Sequence, residues 1–299
     1  MRVTDKMMTE NAITYMDDNK YRLHVLQERV ASGKQFLRAS DNPVGATAAL
    51  SLRSSLETTK AYIDANSVTE NWMGATDASM LKLADVTRNA IKLSMEGIST
   101  TQGPTERQAL AAELNMSIEQ AVVLGNTSHQ GSYIFSGFKT TTISFTRVDA
   151  NNDGQAESVT YNGDTGLILR NISPGQTVTQ NITGDTVFSP LFDAMIRARD
   201  ALQAGDMTAL QTALRDLQNG LTNATEATTT NGARQRQVRQ ISERLETTST
   251  DLKSLLSQKE DVNMAEAVSY LRNQETVYQA VLEVGQRTIS SLNLFQVLG

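Results

Sequence analysis

The four prolines of this chain, Pro43, Pro104, Pro174 and Pro190, leave residues 44–103 and 191–299 without any. Proline lacks an amide proton and its ring clashes with the preceding turn, so it is the strongest helix breaker. Two proline-free stretches of this length permit very long helices. Residues 193–269 also lack aromatic side chains, so such helices would pack through Leu, Ala, Val and Met and stay slender.

Apolar spacing supports this reading. Met16, Asn19, Leu23, Leu26 and Val30 alternate steps of three and four and share one helix face. Ala49, Leu52, Leu56, Thr59 and Ile63 repeat the pattern after Asp41-Asn42-Pro43, where a capping side chain and a first-turn proline mark a helix start. A third seam runs from Trp72 through Thr76, Ser79, Leu83, Val86 and Ala90 to Leu93, and a fourth holds Leu110, Leu114, Ala121 and Leu124. The clearest seam is Val238, Ile241, Leu245, Thr248, Leu252, Leu255, Lys259 and Val262. It predicts a helix over about 233–262, of coiled-coil character. The last segment carries Met264, Val268, Leu271, Tyr278, Val281, Leu282, Ile289, Leu292 and Phe295, and residues 288–299 contain no charge. Gly285 falls within that seam and predicts either a bend or a close approach.

Between Ser132 and Pro190 the helical period disappears. Turn dipeptides stand at Asp153-Gly154, Asn162-Gly163 and Pro174-Gly175. Residues 158–161 and 167–169 predict a hairpin about Asn162-Gly163. Val178 and Ile182 are expected on one face of a further strand. The fold class expected is therefore mainly α: a long coiled-coil-like helical rod built from N- and C-terminal segments, with a small β-rich inserted domain. The expected divisions are a terminal coiled-coil assembly region (1–40 and 261–299), a helical rod domain (41–131 and 191–260) and an outward-facing insert (132–190). For the rod to be stable its two ends must pack side by side. An amphipathic strip on 36 C-terminal residues does not by itself offset the entropy of ordering them, so the ends are expected to order against neighbouring subunits.

Composition narrows the chemistry. With 27 Lys and Arg against 33 Asp and Glu, the net charge is −6, which disfavours nucleic acid and anionic membranes as partners. There are no cysteines, so disulfides, thiolate nucleophiles and Cys-ligated metals are excluded. No phosphate-binding GxxxxGK[ST] or GxGxxG is present, and neither His24 nor His129 begins an H-E-x-x-H helix. His24 is read as a surface residue and His129 as a cation near a helix C-terminus. Asp149, Asn151, Asp153 and Gly154 match the first half of a calcium loop, but Thr160 stands where its bidentate Glu belongs. A β-turn accounts for them better. No catalytic, cofactor-binding or metal residues are assigned, and no cofactor is expected. No run approaches the ~18 apolar residues of a membrane span. The N-terminus has no apolar core of a cleavable signal, which fits either a cytosolic protein or one exported uncleaved.

Two pairs of motifs carry a family resemblance. Arg29-Val30-Ala31-Ser32-Gly33-Lys34 with Ala39-Ser40-Asp41-Asn42-Pro43 resembles the N-terminal motif of the flagellin superfamily. Asp261-Val262-Asn263-Met264-Ala265-Glu266-Ala267, followed by Gln274, Gln286, Ile289, Leu292 and Leu298, resembles its C-terminal motif. Residues 131–140 and the opening Met1-Arg2-Val3-Thr4 are most similar to the hook–filament junction branch. The resemblance covers about 1–140 and 220–299. It implies a structural, non-enzymatic component of the bacterial flagellum, exported unfolded by the flagellar type III apparatus. Copies would assemble as a ring at the hook tip, above hook-associated protein 1 and below flagellin, after release from a cytosolic flagellar export chaperone. The expected assembly-interface residues are Leu23, Leu26, Val30, Leu271, Tyr278, Leu282, Ile289, Leu292 and Phe295. Flagellin itself and a cytosolic coiled-coil adaptor are the alternatives. An enzyme housed in 132–190 would need an acid, base or metal set that the sequence does not supply.

Overall fold

A computed structural model describes residues 5–99 and 103–297. Helix α1 spans Asp5–Ser32, α2 Pro43–Ile98 and α3 Pro104–Gly125. Six short strands follow: β1 (Ser128–His129), β2 (Ser132–Tyr133), β3 (Phe145–Val148), β4 (Ser158–Tyr161), β5 (Leu169–Ser173) and β6 (Gln176–Thr179). The chain then returns to helix with α4 (Gly184–Ala204), α5 (Met207–Glu260) and α6 (Met264–Val297). The fold is mainly α with a small β-containing region. It divides into two compact units, one made of Met1–Thr59 with Thr248–Gly299 and the other of Lys60–Thr247.

The expected start of α2 is built as the sequence proposes. The Asn42 side-chain oxygen accepts the Gly45 amide at 2.9 Å, and the Asn42 carbonyl takes the Ala46 amide at 2.8 Å. Pro43 fills the first helical position, where its missing amide proton costs nothing.

Helix α5 begins far upstream of the expected 233. Its buried positions Leu210, Ala213, Leu217, Gly220 and Ala224 keep the three-four spacing and lead through Asn231 to Val238, Ile241 and Leu245. Small side chains hide this part of the seam from a search for large apolar residues. They fit because the neighbour supplies the bulk: a Cβ on Gly220 would strike the Leu191 side chain. Outward threonines at 222, 225, 228 and 229 each donate to the carbonyl four residues earlier. Such back-bonding satisfies the hydroxyls within the helix.

Three two-stranded antiparallel pairs, β1–β2, β3–β4 and β5–β6, replace the expected hairpin about Asn162-Gly163. Phe145 faces Tyr161 and Val148 faces Ser158, so β4 pairs backwards across the 149–157 loop rather than forwards. The reason is local. The Asn162 amide group donates to the Thr146 hydroxyl at 2.7 Å, and Gly163 lies against the Tyr161 ring with no room for a Cβ. Pro174-Gly175 instead turns β5 into β6. Val178 is buried in β6 beside Ile172 and Met73, whereas Ile182 lies beyond the strand against the aromatic core, so the two do not share a strand face. Pro190 is internal to α4, which starts at Gly184.

The Lys60–Thr247 unit has its largest core where α3, α4 and β3–β4 meet. Phe135, Phe145, Phe188 and Phe192 are fully buried. Ring centroids are 4.7 Å apart for Phe135–Phe188 and 5.1 Å for Phe145–Phe192, in tilted and edge-on arrangements that suit aromatic quadrupoles. The motif at 131–140 serves this core. Gly137 takes a left-handed φ of 68° against the Asp164 carbonyl, a conformation that disfavours any Cβ. The Asp164 carboxylate accepts the Phe138 and Gly166 amides, both at 2.8 Å, and these bonds lower its pKa. Burial, aided by Asp164 and Asp185, pushes the Tyr161 phenol up to about 12, so it stays a donor. Its oxygen is 2.8 Å from the carbonyls of both Phe135 and Asp164.

The remaining expectations about single residues resolve simply. His24 is exposed and sits 3.4 Å from Glu28. His129 belongs to β1, with its ring edge-on to Trp72 at 6.2 Å, and does not cap α3. Its buried Nε2 has no hydrogen-bond partner among the described residues. The acidic side chains of the 149–157 loop bond the loop itself. Asp149 accepts the Gly154 amide at 3.1 Å and an Arg147 nitrogen at 3.2 Å, and Glu157 accepts the Ala150 amide at 2.6 Å. Left-handed backbone at Asn152 and Gly154 completes a turn.

Truncating Phe188 to Ala removes the ring shared by three aromatic contacts. It should destabilise the Lys60–Thr247 unit by about 3–5 kcal/mol in urea titration, whereas Val123→Ala on the exposed face of α3 should change it by less than about 0.5 kcal/mol.

Candidate assembly surface

The two ends of the chain meet within the unit formed by 1–59 and 248–299. Helix α1 stops at Gly33, whose left-handed φ of 68° lets its amide close on the Arg29 carbonyl at 2.9 Å. Just past this cap, Lys34 forms an isolated antiparallel bridge with Asp261. The Gln35 amide donates to the Glu260 carbonyl at 2.6 Å and the Val262 amide to the Gly33 carbonyl at 2.9 Å. Side chains repeat the link: Lys34 Nζ lies 2.6 Å from Asp261 and 3.3 Å from Glu260, and Arg53 lies 2.8 Å from Glu260. Glu260 is nearly buried, so its two cations are what make the burial tolerable. The Asp261 hydrogen bond, outweighing the opposing effect of burial, raises the Lys34 pKa. Bonds from Lys34 and then Ser257 hold the Asp261 carboxyl below its ordinary range. Both partners of this link belong to the terminal motifs, one from each end of the sequence.

From that junction α1 and α6 run antiparallel. Asn19 accepts from Gln274 at 3.0 Å, and Met16 faces Gly285. A Cβ at Gly285 would stand 2.9 Å from the Met16 sulfur. The glycine thus marks a close approach, and α6 continues as one helix through it. Of the expected interface residues, Leu23, Leu26 and Val30 on α1 and Leu271, Tyr278 and Leu282 on α6 are all half-buried along this pair. Ile289, Leu292 and Phe295 lie on α6 outside the residues whose side chains are described, and Leu298 lies outside the described residues altogether.

Beside and opposite that seam, large apolar side chains stand in the open. Ile13, Tyr15 and Tyr21 on α1 are 49%, 64% and 68% exposed, and Tyr270 and Val284 on α6 are 57% and 63% exposed. A groove of about 560 Å³ lies along the pair, floored by Ala12, Tyr15, Val277, Ala280 and Val284 and walled by Asn11 and Asn19. An arrangement of half-covered seams and uncovered outer faces can bind other helices. Seam spacing located the inner residues, Met16 among them, but not Lys34, Arg53, Glu260 or the outer tyrosines. Only the terminal motifs signalled the first group, through Lys34 and Asp261.

Comparison with known proteins bears on both ends. Residues 3–140 match the family model described as the bacterial flagellin N-terminal helical region. The chain is 23% identical over 217 residues to flagellar hook-associated protein 3 of Escherichia coli K12, covering 72% of this chain and 68% of that protein. It is 24% identical over 191 residues to the protein of the same name in Salmonella typhimurium LT2, covering 64% of this chain and 60% of that one. Among solved structures, FlgL of Bacillus cereus aligns with a TM-score of 0.59 at 22% identity, over 69% of this chain and 99% of that one. FlgL of Xanthomonas campestris aligns with a TM-score of 0.61 at 15% identity, over 69% and 99% of the two chains. The fold is shared with these structures, and the two curated relatives named above are both flagellar hook-associated protein 3.

Two measurements check the α1–α6 pair. The chain has no cysteine, so Asn19→Cys with Gln274→Cys reports pairing by intrachain disulfide formation. Adding Gly285→Leu should slow that reaction severalfold through overpacking against Met16, and adding Met16→Ala to it should restore most of the rate. The Lys34–Asp261 link also sets a pH window. Asp261, lowered on folding, contributes stability above its ordinary pKa and loses it as acid titrates the folded carboxyl. Lys34, raised on folding, contributes below its ordinary pKa and loses it as alkali titrates the folded amine. The thermal midpoint followed by circular dichroism should therefore carry an acid limb from Asp261, and Asp261→Asn should flatten that limb.

Proposed function

We propose that this chain is a structural subunit of the bacterial flagellum that joins hook to filament, assembling as a ring at the hook tip by packing of its terminal helices. The observation that carries the reading is the α1–α6 pair. The chain's two ends, which hold the motifs of the flagellin superfamily, cover one another only halfway and present exposed apolar side chains on their outer faces. Likeness to flagellar hook-associated protein 3 supports the junction in preference to the bulk filament.

In this reading 1–40 and 261–299 form the assembly region, 41–131 and 191–260 the helical rod and 132–190 an outward segment. Leu23, Leu26, Val30, Leu271, Tyr278, Leu282, Ile289, Leu292 and Phe295 carry the contacts. Copies of the chain, hook-associated protein 1 and flagellin are the extracellular partners, and a cytosolic export chaperone holds the chain before type III export. No cofactor and no catalysis enter. The physical logic is that a half-covered seam gains most of its burial only when neighbouring helices arrive, so ordering and assembly coincide at the hook tip.

Electron microscopy of a strain lacking this chain tests the reading. Hooks without filaments, with flagellin shed into the medium, are the expected result, and hooks that keep their filaments would overturn it. Flagellin's own role would instead remove filament mass altogether and leave nothing to shed. In the complemented strain, Leu292→Asp should reproduce the loss by placing a charge in a dry contact.

A further inference from the structure

The loop that leaves α1 and the first turns of α2 enclose a second groove, of about 490 Å³, in the same unit as the terminal pair. Phe36, Leu37, Pro43 and Leu50 give it apolar walls, and Arg38 and Arg53 stand at its edge. Leu37 and Leu50 are 50% and 68% exposed although they are large and apolar. The cations differ in how they are used. Arg53 and Lys34 are committed to Glu260. Arg38 contributes its backbone amide to Asp41, but its exposed guanidinium has no protein partner among the described residues. The groove is thus apolar with one uncommitted positive charge.

Helix α1 carries a row of matching character on its outer side. Ile13, Asp17 and Tyr21 follow one another at steps of four and so share a face. All three are exposed, and the Asp17 carboxylate has no protein partner among the described residues. No other helical acid among the described residues has a large, exposed apolar side chain four residues away on both sides: Asp64 has only Val68 and Asp251 only Leu255. Asp85 beside exposed Leu81 is taken by Arg88 at 2.6 Å, and Glu119 between Met116 and Val123 is taken by Arg147 at 2.7 Å. On α6, Glu266 stands four residues before Tyr270, but Val262 on its other side is half-buried.

We infer that the outer row of α1, Ile13–Asp17–Tyr21, seats in the Phe36–Leu50 groove of a second copy of this chain, with Asp17 meeting Arg38. The inference rests on the proposed assembly of copies and names the contact that propagates it. Donor row and acceptor groove are different surfaces of one chain, so the contact is head-to-tail and generates a ring or helix of subunits rather than a closed pair. Tyr21 and Ile13 supply apolar burial. The charge pair fixes register, because a shift by one helical turn would leave both charges desolvated and unpaired.

Charge exchange tests the contact in a strain that lacks the chromosomal copy. Hooks that retain filaments in that strain before complementation would sink the assembly reading itself, separately from this contact. With the deletion phenotype in hand, Arg38→Glu and Asp17→Arg should each lose attached filaments, and the two changes together should restore them. Retention by either single variant, or failure of the pair to restore, overturns the contact. Purified variants with unchanged circular dichroism melts guard against simple misfolding. Independently, the chain bearing both Asp17→Cys and Arg38→Cys should give a ladder of disulfide-linked multimers when hook–filament preparations from motile cells are oxidised. Motile cells whose preparations yield no ladder overturn the contact even if the charge variants do not fold.

Discussion

A short bridge between residues 227 positions apart, Lys34 and Asp261, fixes how the chain's ends relate. It combines two backbone hydrogen bonds, a salt bridge and the nearly buried Glu260, which two cations hold in place. Backbone bonds set direction and the charges set register, so α1 and α6 emerge antiparallel with Asn19 opposite Gln274 and Met16 opposite Gly285. Glycine at 285 then decides how closely the helices approach.

The Lys60–Thr247 unit relies on a different economy. Four phenylalanines concentrate at one place, while the helices around them mix alanine and serine with leucine, isoleucine and methionine at the buried positions. Many polar groups enter this interior with partners, although Asn66 Oδ1, Asn231 Oδ1, Trp72 Nε1 and Ser189 Oγ are buried without one among the described residues. The guanidinium of Arg199 reaches Asn115, the Ala156 carbonyl and Asp200, tying the 149–157 loop to α3 and α4. Asn66 and Asn231 donate to the carbonyls of Ile172 and Met73. Each replaces a water contact with a protein one, which is the condition for burying a polar group at tolerable cost.

The two units therefore differ in how complete they are. One closes its aromatic core within itself. The other leaves Tyr15, Tyr21, Tyr270 and Val284 uncovered and its inner seam half-covered. In the proposed junction that incompleteness is what makes a subunit an assembly part, because apolar surface gains stabilisation only from what arrives to cover it.

Much of this was legible in the amino-acid order. The absence of proline and the three-four spacing of Leu, Val and Ile fixed the long helices, Asn42-Pro43 fixed the start of α2, and the terminal motifs pointed to the family. Local chemistry suffices there, since caps, breakers and periodicity act over a few residues. The upstream half of α5 was not legible, because Ala213, Gly220 and Ala224 are small only in answer to the bulk of neighbours such as Leu191. Strand pairing was not legible either: Asn162-Gly163 has the composition of a hairpin turn, yet Thr146 and the Tyr161 ring claim those residues. The placement of His129 on Trp72, of Met16 on Gly285 and of Lys34 between two carboxylates likewise depends on segments distant in the chain. Sequence determined where most of the helices run and that the two ends belong together. Only the tertiary structure decided which faces are covered, because coverage is a property of pairs of segments and no local signal records the partner.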